Sequence, residues 1–272
     1  MPDTKQTVLE QAVADQWKVL PSGLTVLVRP MPGYSSTHVI FATKFGSIDR
    51  DFRLDGKEVH LPAGVAHFLE HKLFENPDGS DSFAKFSVWG ADANAYTTAN
   101  RTAYLFSCTE HFSESLEELL TFVTTPYFTP ETVKKEQGII AEEIRMYDDS
   151  PWDRCFQQLM EAMYAECGIR KNICGTERSI GEITDRLLYD CYRVFYQPCN
   201  MALVVCGDVT PEEDLAVCDR VLPKGAVQLP IERAPFTEPD GVSNRRILEN
   251  LRRLTATGIP VEIRIPLIPG YN

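Results

Sequence analysis

The sequence has no hydrophobic run long enough to cross a membrane and no surplus of positive charge. Its longest apolar stretch, Met201 to Cys206, suits a strand and is far shorter than the roughly 20 residues of a spanning helix. The first residues include Asp3, Glu10 and Asp15, so we expect no signal peptide. A net charge of −12 argues against a nucleic-acid groove and against a patch for anionic membranes. We therefore expect a cytoplasmic protein that binds neither.

The eight cysteines include no Cys-x-x-Cys pair. In the absence of a secretory signal, we expect reduced thiols rather than a disulfide framework. Cys167 and Cys174 lie near each other around Gly168, but a structural metal site there is disfavoured. Any zinc is therefore expected on histidine and glutamate side chains.

One stretch holds two histidines and a glutamate at helical spacing: His67-Phe68-Leu69-Glu70-His71. In a helix, His67 and His71 lie about 40° apart, so both imidazoles project from one face with Glu70 beside them. A catalytic zinc site binds such imidazoles and keeps a position open for water, whose proton a carboxylate accepts. The order is the inverzincin signature. His67 and His71 are predicted zinc ligands and Glu70 the general base; otherwise the histidines are ordinary core or surface residues.

A second predicted helix carries the candidate third ligand. Thr129 and Pro130 suit its start, and it runs to about Tyr147. Its apolar stripe comprises Val133, Ile139, Ile140, Ile144 and Tyr147. Glu136 and Glu143 fall inside this stripe, where an unpaired carboxylate is costly to bury. A metal cation would neutralise them, so Glu143 is the predicted third ligand and Glu136 an outer group that orients a ligand. Alternatively, either carboxylate pairs with a buried arginine or lies at the wet edge of the stripe.

The combined motifs resemble the pitrilysin/insulinase (M16-type) family of zinc peptidases. In that family a liganding glutamate follows His-x-x-Glu-His at a similar distance, and another glutamate precedes the ligand. Here Glu143 follows His71 by 72 positions, and Glu136 precedes Glu143 by seven. The resemblance covers about residues 17–221. It implies zinc held by His67, His71 and Glu143, with Glu70 as the base.

Residues 90–98 and 102–104 also resemble the family, whose corresponding edge strand pairs with the substrate backbone. The resemblance implies that Asn94 and Ala95 bind an extended peptide, with backbone hydrogen bonds supplying affinity. The family has a second, similar domain that contributes an Arg/Tyr pair, and too little chain follows Val221 to form it. We therefore expect full activity to need a missing C-terminal domain or a homologous partner subunit.

The order of predicted elements indicates an α+β fold, a two-layer domain with a largely antiparallel sheet packed by helices. Strands are predicted at about residues 17–20, 24–29, 38–42, 92–97, 102–108 and 201–206. Helices are predicted for the zinc motif and at about residues 82–86, 112–124, 133–147, 152–165 and 184–196, with a further helix starting at 210. Residues 1–230 are the predicted zinc peptidase N-terminal domain and residues 231–244 a linker.

The last segment, residues 245–272, differs from the rest. It has five arginines against two glutamates, whereas the whole chain is acidic. Its helix-like and strand-like pattern resembles part of the radical-SAM activases of glycyl-radical enzymes, but their Cys-x3-Cys-x2-Cys cluster motif is absent. We expect a truncated or chimeric reading frame, with an ordinary helix and strand of the peptidase as the alternative.

These patterns predict a Zn²⁺-dependent metalloendopeptidase that acts on peptide or protein substrates. The rival hypotheses are a catalytically incomplete scaffold or subunit half, and an activator related to the radical-SAM enzymes. The intact Glu70 counts against a scaffold, and the missing cysteine triad counts against an activator.

Overall fold

The computed structural model describes residues 15–164, 168–222, 225 and 231–233. A six-stranded sheet forms the centre of this domain, in the order β1-β2-β8-β3-β7-β6. Its strands are β1 (Gln16–Val19), β2 (Thr25–Pro30), β3 (Thr37–Thr43), β6 (Asp92–Thr97), β7 (Thr102–Cys108) and β8 (Met201–Gly207).

The sheet is largely antiparallel, as predicted. Only β2 and β8 run parallel among its pairs of described strands, and the other pairs are antiparallel. β8 inserts between β2 and β3, which are consecutive in the chain. In register, Val39 lies opposite Phe106 on one side and Val205 on the other, and all three side chains are buried. The alternation of buried and partly exposed residues along β3 and β8 therefore gives the sheet one fully covered face.

Helices pack against the sheet. The described residues contain α1 (Val65–Leu73), α2 (Ser82–Val88), α3 (Phe112–Thr124), α4 (Pro130–Asp149), α5 (Pro151–Met163), α6 (Glu177–Ile180), α7 (Asp185–Phe195) and α8 (Pro211–Val221). Threonine side chains cap several of them, and Thr129 does so for α4 with Pro130 at the first helical position. The aromatic rings of Phe74, Tyr104 and Phe122 pack where α1 and α3 meet β7. The predicted α+β architecture, a sheet packed by helices, is confirmed.

A second, three-stranded sheet is absent from the sequence-based prediction. It contains β4 (Asp51–Leu54), β5 (Lys57–His60) and β9 (Ile231–Arg233). Asp55 and Gly56 join β4 to β5 with positive φ angles of 50° and 74°, which is the geometry of a tight two-residue hairpin. β9 falls in the predicted linker and pairs with β4. The remainder of that linker and the tail at 245–272 lie outside the described residues.

The predicted stripe on α4 is wrong at one position. Val133, Ile140 and Ile144 are buried, whereas Ile139 is 47% exposed. Ile139 lies 100° around the helix from Ile140, so a narrow buried arc does not include both. Glu142 also points outward, as predicted, and pairs with Arg145 on the surface. Within the described part of the chain, no helix has the length and apolar character needed to span a membrane.

Candidate metal centre

α1 brings both histidines and Glu70 of the motif to one place. The helix starts after Gly64, whose φ of 91° lies in the left-handed region that favours glycine. His67 and Glu70 are buried, and the rings of His67 and His71 lie 4.5 Å apart between centroids. The helical spacing therefore places the two imidazoles side by side, as predicted from the sequence.

Glu143 of α4 lies opposite both imidazoles. Its Oε1 is 3.6 Å from Nε2 of His67, and its Oε2 is 3.4 Å from Nε2 of His71. Nitrogen and oxygen ligands of one tetrahedral zinc ion are separated by about 3.4 Å, given metal–ligand bonds of about 2.0–2.2 Å. Each imidazole nitrogen thus lies at about the ligand–ligand distance from one oxygen of Glu143, and a donor set of two imidazoles and a carboxylate suits zinc.

Glu136 lies on the side of the His71 ring opposite to Glu143. Its Oε1 lies 3.0 Å from Nδ1 of His71, close enough to accept a hydrogen bond from that nitrogen. With the proton on Nδ1, the lone pair of Nε2 points to Glu143. A carboxylate behind a metal-binding histidine commonly fixes the tautomer in this way. The structure thus places Glu136 behind the predicted ligand, two helical turns before Glu143 on α4.

Burial and charge set the protonation of these groups. Burial, together with the neighbouring His71, lowers the pKa of His67 to about 3, so this imidazole is neutral and able to bind a metal. Burial also lowers the pKa of His71, but the hydrogen bond and negative charge of Glu136, with Glu143 and Glu70, outweigh it and raise the pKa. The cluster therefore holds negative charge that attracts a cation.

Glu70 lies beside this cluster and is held by a threonine. Thr97, the last residue of β6, donates a short hydrogen bond from Oγ1 to Oε2 of Glu70. Burial raises the pKa of Glu70, while the Thr97 hydrogen bond lowers it. Thr97 belongs to the strand that resembles the family, but nothing in its own spacing indicates a contact with α1. Only the packing of α1 on β6 reveals it.

Cys174 is a further side chain that sequence reasoning did not assign to this site. Its Sγ lies 3.9 Å from Nε2 of His67. Donor atoms of His67, Glu143 and Cys174 all lie within 4.8 Å of one another. Cys174 is separated from His67 by 107 positions, so no local pattern could have indicated the contact.

A cavity of about 460 Å³ opens beside the cluster. Glu70, His71 and Glu136 line one side of it, and the predicted substrate residues Asn94 and Ala95 of β6 line another. Within the described chain, β6 pairs only with β7, so its other edge is unpaired. The predicted peptide-binding residues thus lie on an edge strand next to the predicted base.

Comparison with known proteins identifies a family for part of the chain. Residues 57–177 match the sequence profile of the family Insulinase (Peptidase family M16). The chain carries an M16 peptidase domain. That match spans the elements that carry His67, Glu70, His71 and Glu143.

Relatives of this M16 domain are named zinc proteases. The uncharacterized zinc protease YmfH of Bacillus subtilis is 52% identical over 195 residues, which is 71% of this chain and 45% of YmfH. An uncharacterized zinc protease of Rickettsia felis is 27% identical over 206 residues, covering 74% of this chain and 48% of that protein. The chain spans about half the length of the curated relatives it matches.

Solved structures share the fold. An M16-like peptidase from Alicyclobacillus acidocaldarius is 42% identical with a TM-score of 0.78, over 81% of this chain and 52% of that one. A peptidase M16 inactive domain from Pseudomonas fluorescens is 20% identical with a TM-score of 0.67, over 82% of this chain and 54% of that one. The second likeness concerns the fold alone. An M16 fold therefore does not by itself establish catalysis, which has to be argued from the side chains.

Proposed function

We propose that this chain is the metal-binding N-terminal half of a zinc metalloendopeptidase that hydrolyses peptide bonds. The observation that carries the proposal is the position of Glu143. Its two oxygens face Nε2 of His67 and Nε2 of His71 at 3.6 and 3.4 Å, with the Glu70 carboxylate beside them. The names of the relatives support zinc as the metal.

Each side chain has a distinct task in this proposal. Zinc held by His67, His71 and Glu143 would supply Lewis acidity, which polarises the scissile carbonyl and makes a water more acidic. Glu70 accepts a proton from the attacking water and returns it to the leaving amide nitrogen. Burial raises the pKa of Glu70 and so makes its carboxylate a stronger base, while Thr97 keeps it oriented.

Substrate would bind along β6. An extended peptide can add to the free edge of this strand near Asn94 and Ala95, which line the same cavity as Glu70. Backbone hydrogen bonds would hold the peptide parallel to the sheet edge and bring one carbonyl to the cluster. Peptides and unfolded proteins are therefore the proposed substrates.

The test uses the full chain, zinc analysis and a fluorogenic unstructured peptide. Wild type is expected to retain about one zinc per chain after dialysis and to lose cleavage on addition of a chelator. Glu70→Gln is expected to keep the zinc and to lose about 10²–10⁴-fold in turnover. Glu143→Gln is expected to lose zinc, whereas Glu142→Gln, one residue away on the exposed face, retains it. Unchanged turnover in Glu70→Gln would refute the role of Glu70 as the general base. Unchanged zinc content in Glu143→Gln would refute the role of Glu143 as a zinc ligand.

A second function is a catalytically incomplete half that needs another domain or a homologous partner subunit. The supporting observation is the coverage, because the chain spans about half of its curated relatives. Stoichiometric zinc without chelator-sensitive cleavage would favour this alternative. Restored cleavage on addition of a separately made C-terminal half of a relative such as YmfH would establish that the missing half is required. A cytoplasmic location stays a prediction.

A further inference from the structure

Cys174 lies in the loop between the 3-10 turn Gly168–Arg170 and α6, and its side chain is buried against α1. Its sulfur faces Nε2 of His67, the nitrogen that also faces Glu143, at 3.9 Å. The His67 side chain is only 9% exposed, so this nitrogen is directed into the cluster and away from bulk water. Cys174 is therefore a third donor around the same point, next to a histidine and a carboxylate.

Backbone packing holds the loop in this position. Gly64 and Gly175 both have positive φ angles, of 91° and 80°. A Cβ on Gly64 would lie 2.4 Å from the carbonyl oxygen of Cys174, and a Cβ on Gly175 would lie 2.4 Å from that of Ala63. The two backbones can approach this closely only because both residues are glycine.

Hydrogen bonds fasten the same loop. Ser179 Oγ donates to the carbonyl oxygen of Ala63 at 2.8 Å, which joins α6 to the segment before α1. The backbone N–H of Cys174 donates to Oδ1 of Asn172 at 3.0 Å. These contacts fix the backbone of Cys174 next to α1, and its side-chain rotamer then sets the position of the sulfur.

The separation between sulfur and nitrogen suits a shared metal ion. With zinc–sulfur bonds of about 2.3 Å and zinc–nitrogen bonds of about 2.0–2.1 Å, tetrahedral ligands lie about 3.6 Å apart. The observed 3.9 Å exceeds this by a few tenths of an ångström. A small rotation of the thiol would bring it to the ligand distance.

We propose that Cys174 is a further ligand of the metal centre, occupying the position that a water molecule would need. The inference rests on the proposed zinc site of His67, His71 and Glu143, and it adds a way in which access of water to that site is regulated. Four protein ligands close a zinc site, as in structural centres, whereas a catalytic site keeps one position open. On binding, the thiol releases its proton to solvent. A molecule with the sulfur bound would hold no catalytic water, so wild type would turn over only in the fraction of molecules whose sulfur has withdrawn from the metal.

The test replaces zinc by Co²⁺, whose bond to a thiolate gives a charge-transfer absorption band in the near ultraviolet. Wild type loaded with one equivalent of Co²⁺ is expected to show the band, and Cys174→Ser and Cys174→Ala are expected to lose it. Cys155→Ala is the matched control, because Cys155 is an exposed cysteine of α5, and it is expected to keep the band. Circular dichroism checks that each variant is folded.

The outcomes separate this proposal from the metal site itself. A Co²⁺ complex of wild type without the near-ultraviolet band would overturn the Cys174 ligand and leave the His67–His71–Glu143 centre standing. A band that survives in Cys174→Ser would also overturn it, since the sulfur would then come from elsewhere. Failure of wild type to bind Co²⁺ at all would refute both. Peptide cleavage offers a second readout, because Cys174→Ser is expected to be more active than wild type if the sulfur blocks the water position.

Discussion

Glu136 accepts a hydrogen bond from Nδ1 of His71 while Glu143, two turns later on the same helix, faces Nε2 of that ring. One helix thus places a carboxylate at each of the two nitrogens of the His71 ring. The seven-residue spacing of Glu136 and Glu143 indicates in the sequence that both carboxylates face the same partner, because residues seven apart lie on one face of a helix.

Removing Glu136 should weaken metal binding without abolishing it. Glu136→Ala leaves His71 free to rotate or to change tautomer, and loss of such an outer partner typically costs about 10–100-fold in metal affinity. Competition with a chromophoric zinc chelator measures the change. Glu131→Ala, at an exposed position in the first turn of α4, is the control and should bind zinc as wild type does. Equal affinities of the two variants would show that Glu136 does not orient the ligand.

The hydroxyl of Thr97 should control the pH at which the proposed peptidase activity appears. Its hydrogen bond lowers the pKa of Glu70, so Thr97→Val is expected to raise that pKa further. A base must be deprotonated to act, and the acidic limb of the profile of kcat/KM against pH is therefore expected to move to higher pH. The exposed Thr121→Val is the control. If Thr97→Val is active and the acidic limb of its pH profile does not move, a group other than Glu70 determines the position of that limb.

Asp214 of α8 should make stability depend on pH. It is 0% exposed, neither carboxylate oxygen has a hydrogen-bond partner among the described residues, and burial raises its pKa from 3.8 to about 7. The folded state therefore binds more protons than the unfolded state between these values, and stability falls as the pH rises through that window. The loss is on the order of 4 kcal/mol.

Asp214→Asn tests this dependence because asparagine has a similar shape and stays neutral. Its melting temperature is expected to exceed that of wild type by several degrees at about pH 8, with a smaller difference at about pH 5. Asp219→Asn changes an exposed carboxylate of the same helix and should follow wild type at both values. Parallel curves for Asp214→Asn and wild type would show that Asp214 does not cause the trend.

Two glycine substitutions should have opposite effects on stability. Gly175→Ala puts a Cβ at 2.4 Å from a backbone oxygen at a positive φ, so a loss of roughly 2 kcal/mol or more is expected. Gly138→Ala lies within α4 with nothing within 4 Å of the new Cβ and should stabilise by about 0.5–1 kcal/mol. Urea unfolding measures both. Equal stability of the two variants would contradict the close approach of the loop to α1.

Periodic patterns were enough to predict that His67, His71 and Glu143 lie close together. The four-residue spacing of His67 and His71 and the place of Glu143 in an apolar stripe both report one face of a helix, and the structure brings these side chains together. The hairpin of β4 and β5 also had a signal, the Asp55–Gly56 pair between short alternating runs, which the prediction overlooked.

Contacts between distant segments could not be predicted in this way. Cys174 reaches His67 because Gly64 and Gly175 allow the loop and the start of α1 to touch. Neither glycine lies in a sequence motif that indicates which segment it packs against. Thr97 reaches Glu70 through the packing of a strand on a helix. Such contacts depend on tertiary packing, and the periodicity of residues within one segment carries no information about it.

The insertion of β8 between β2 and β3 has a consequence for how the chain folds during synthesis. Residues 25–43 form two strands that cannot complete the central sheet until residues 201–207 have left the ribosome. Until then, the nascent chain exposes unpaired apolar strand edges, which favour aggregation and engagement by chaperones. A ribosome-bound chain that stops before β8 should therefore remain open to proteases, and the domain should become resistant within a short interval of elongation.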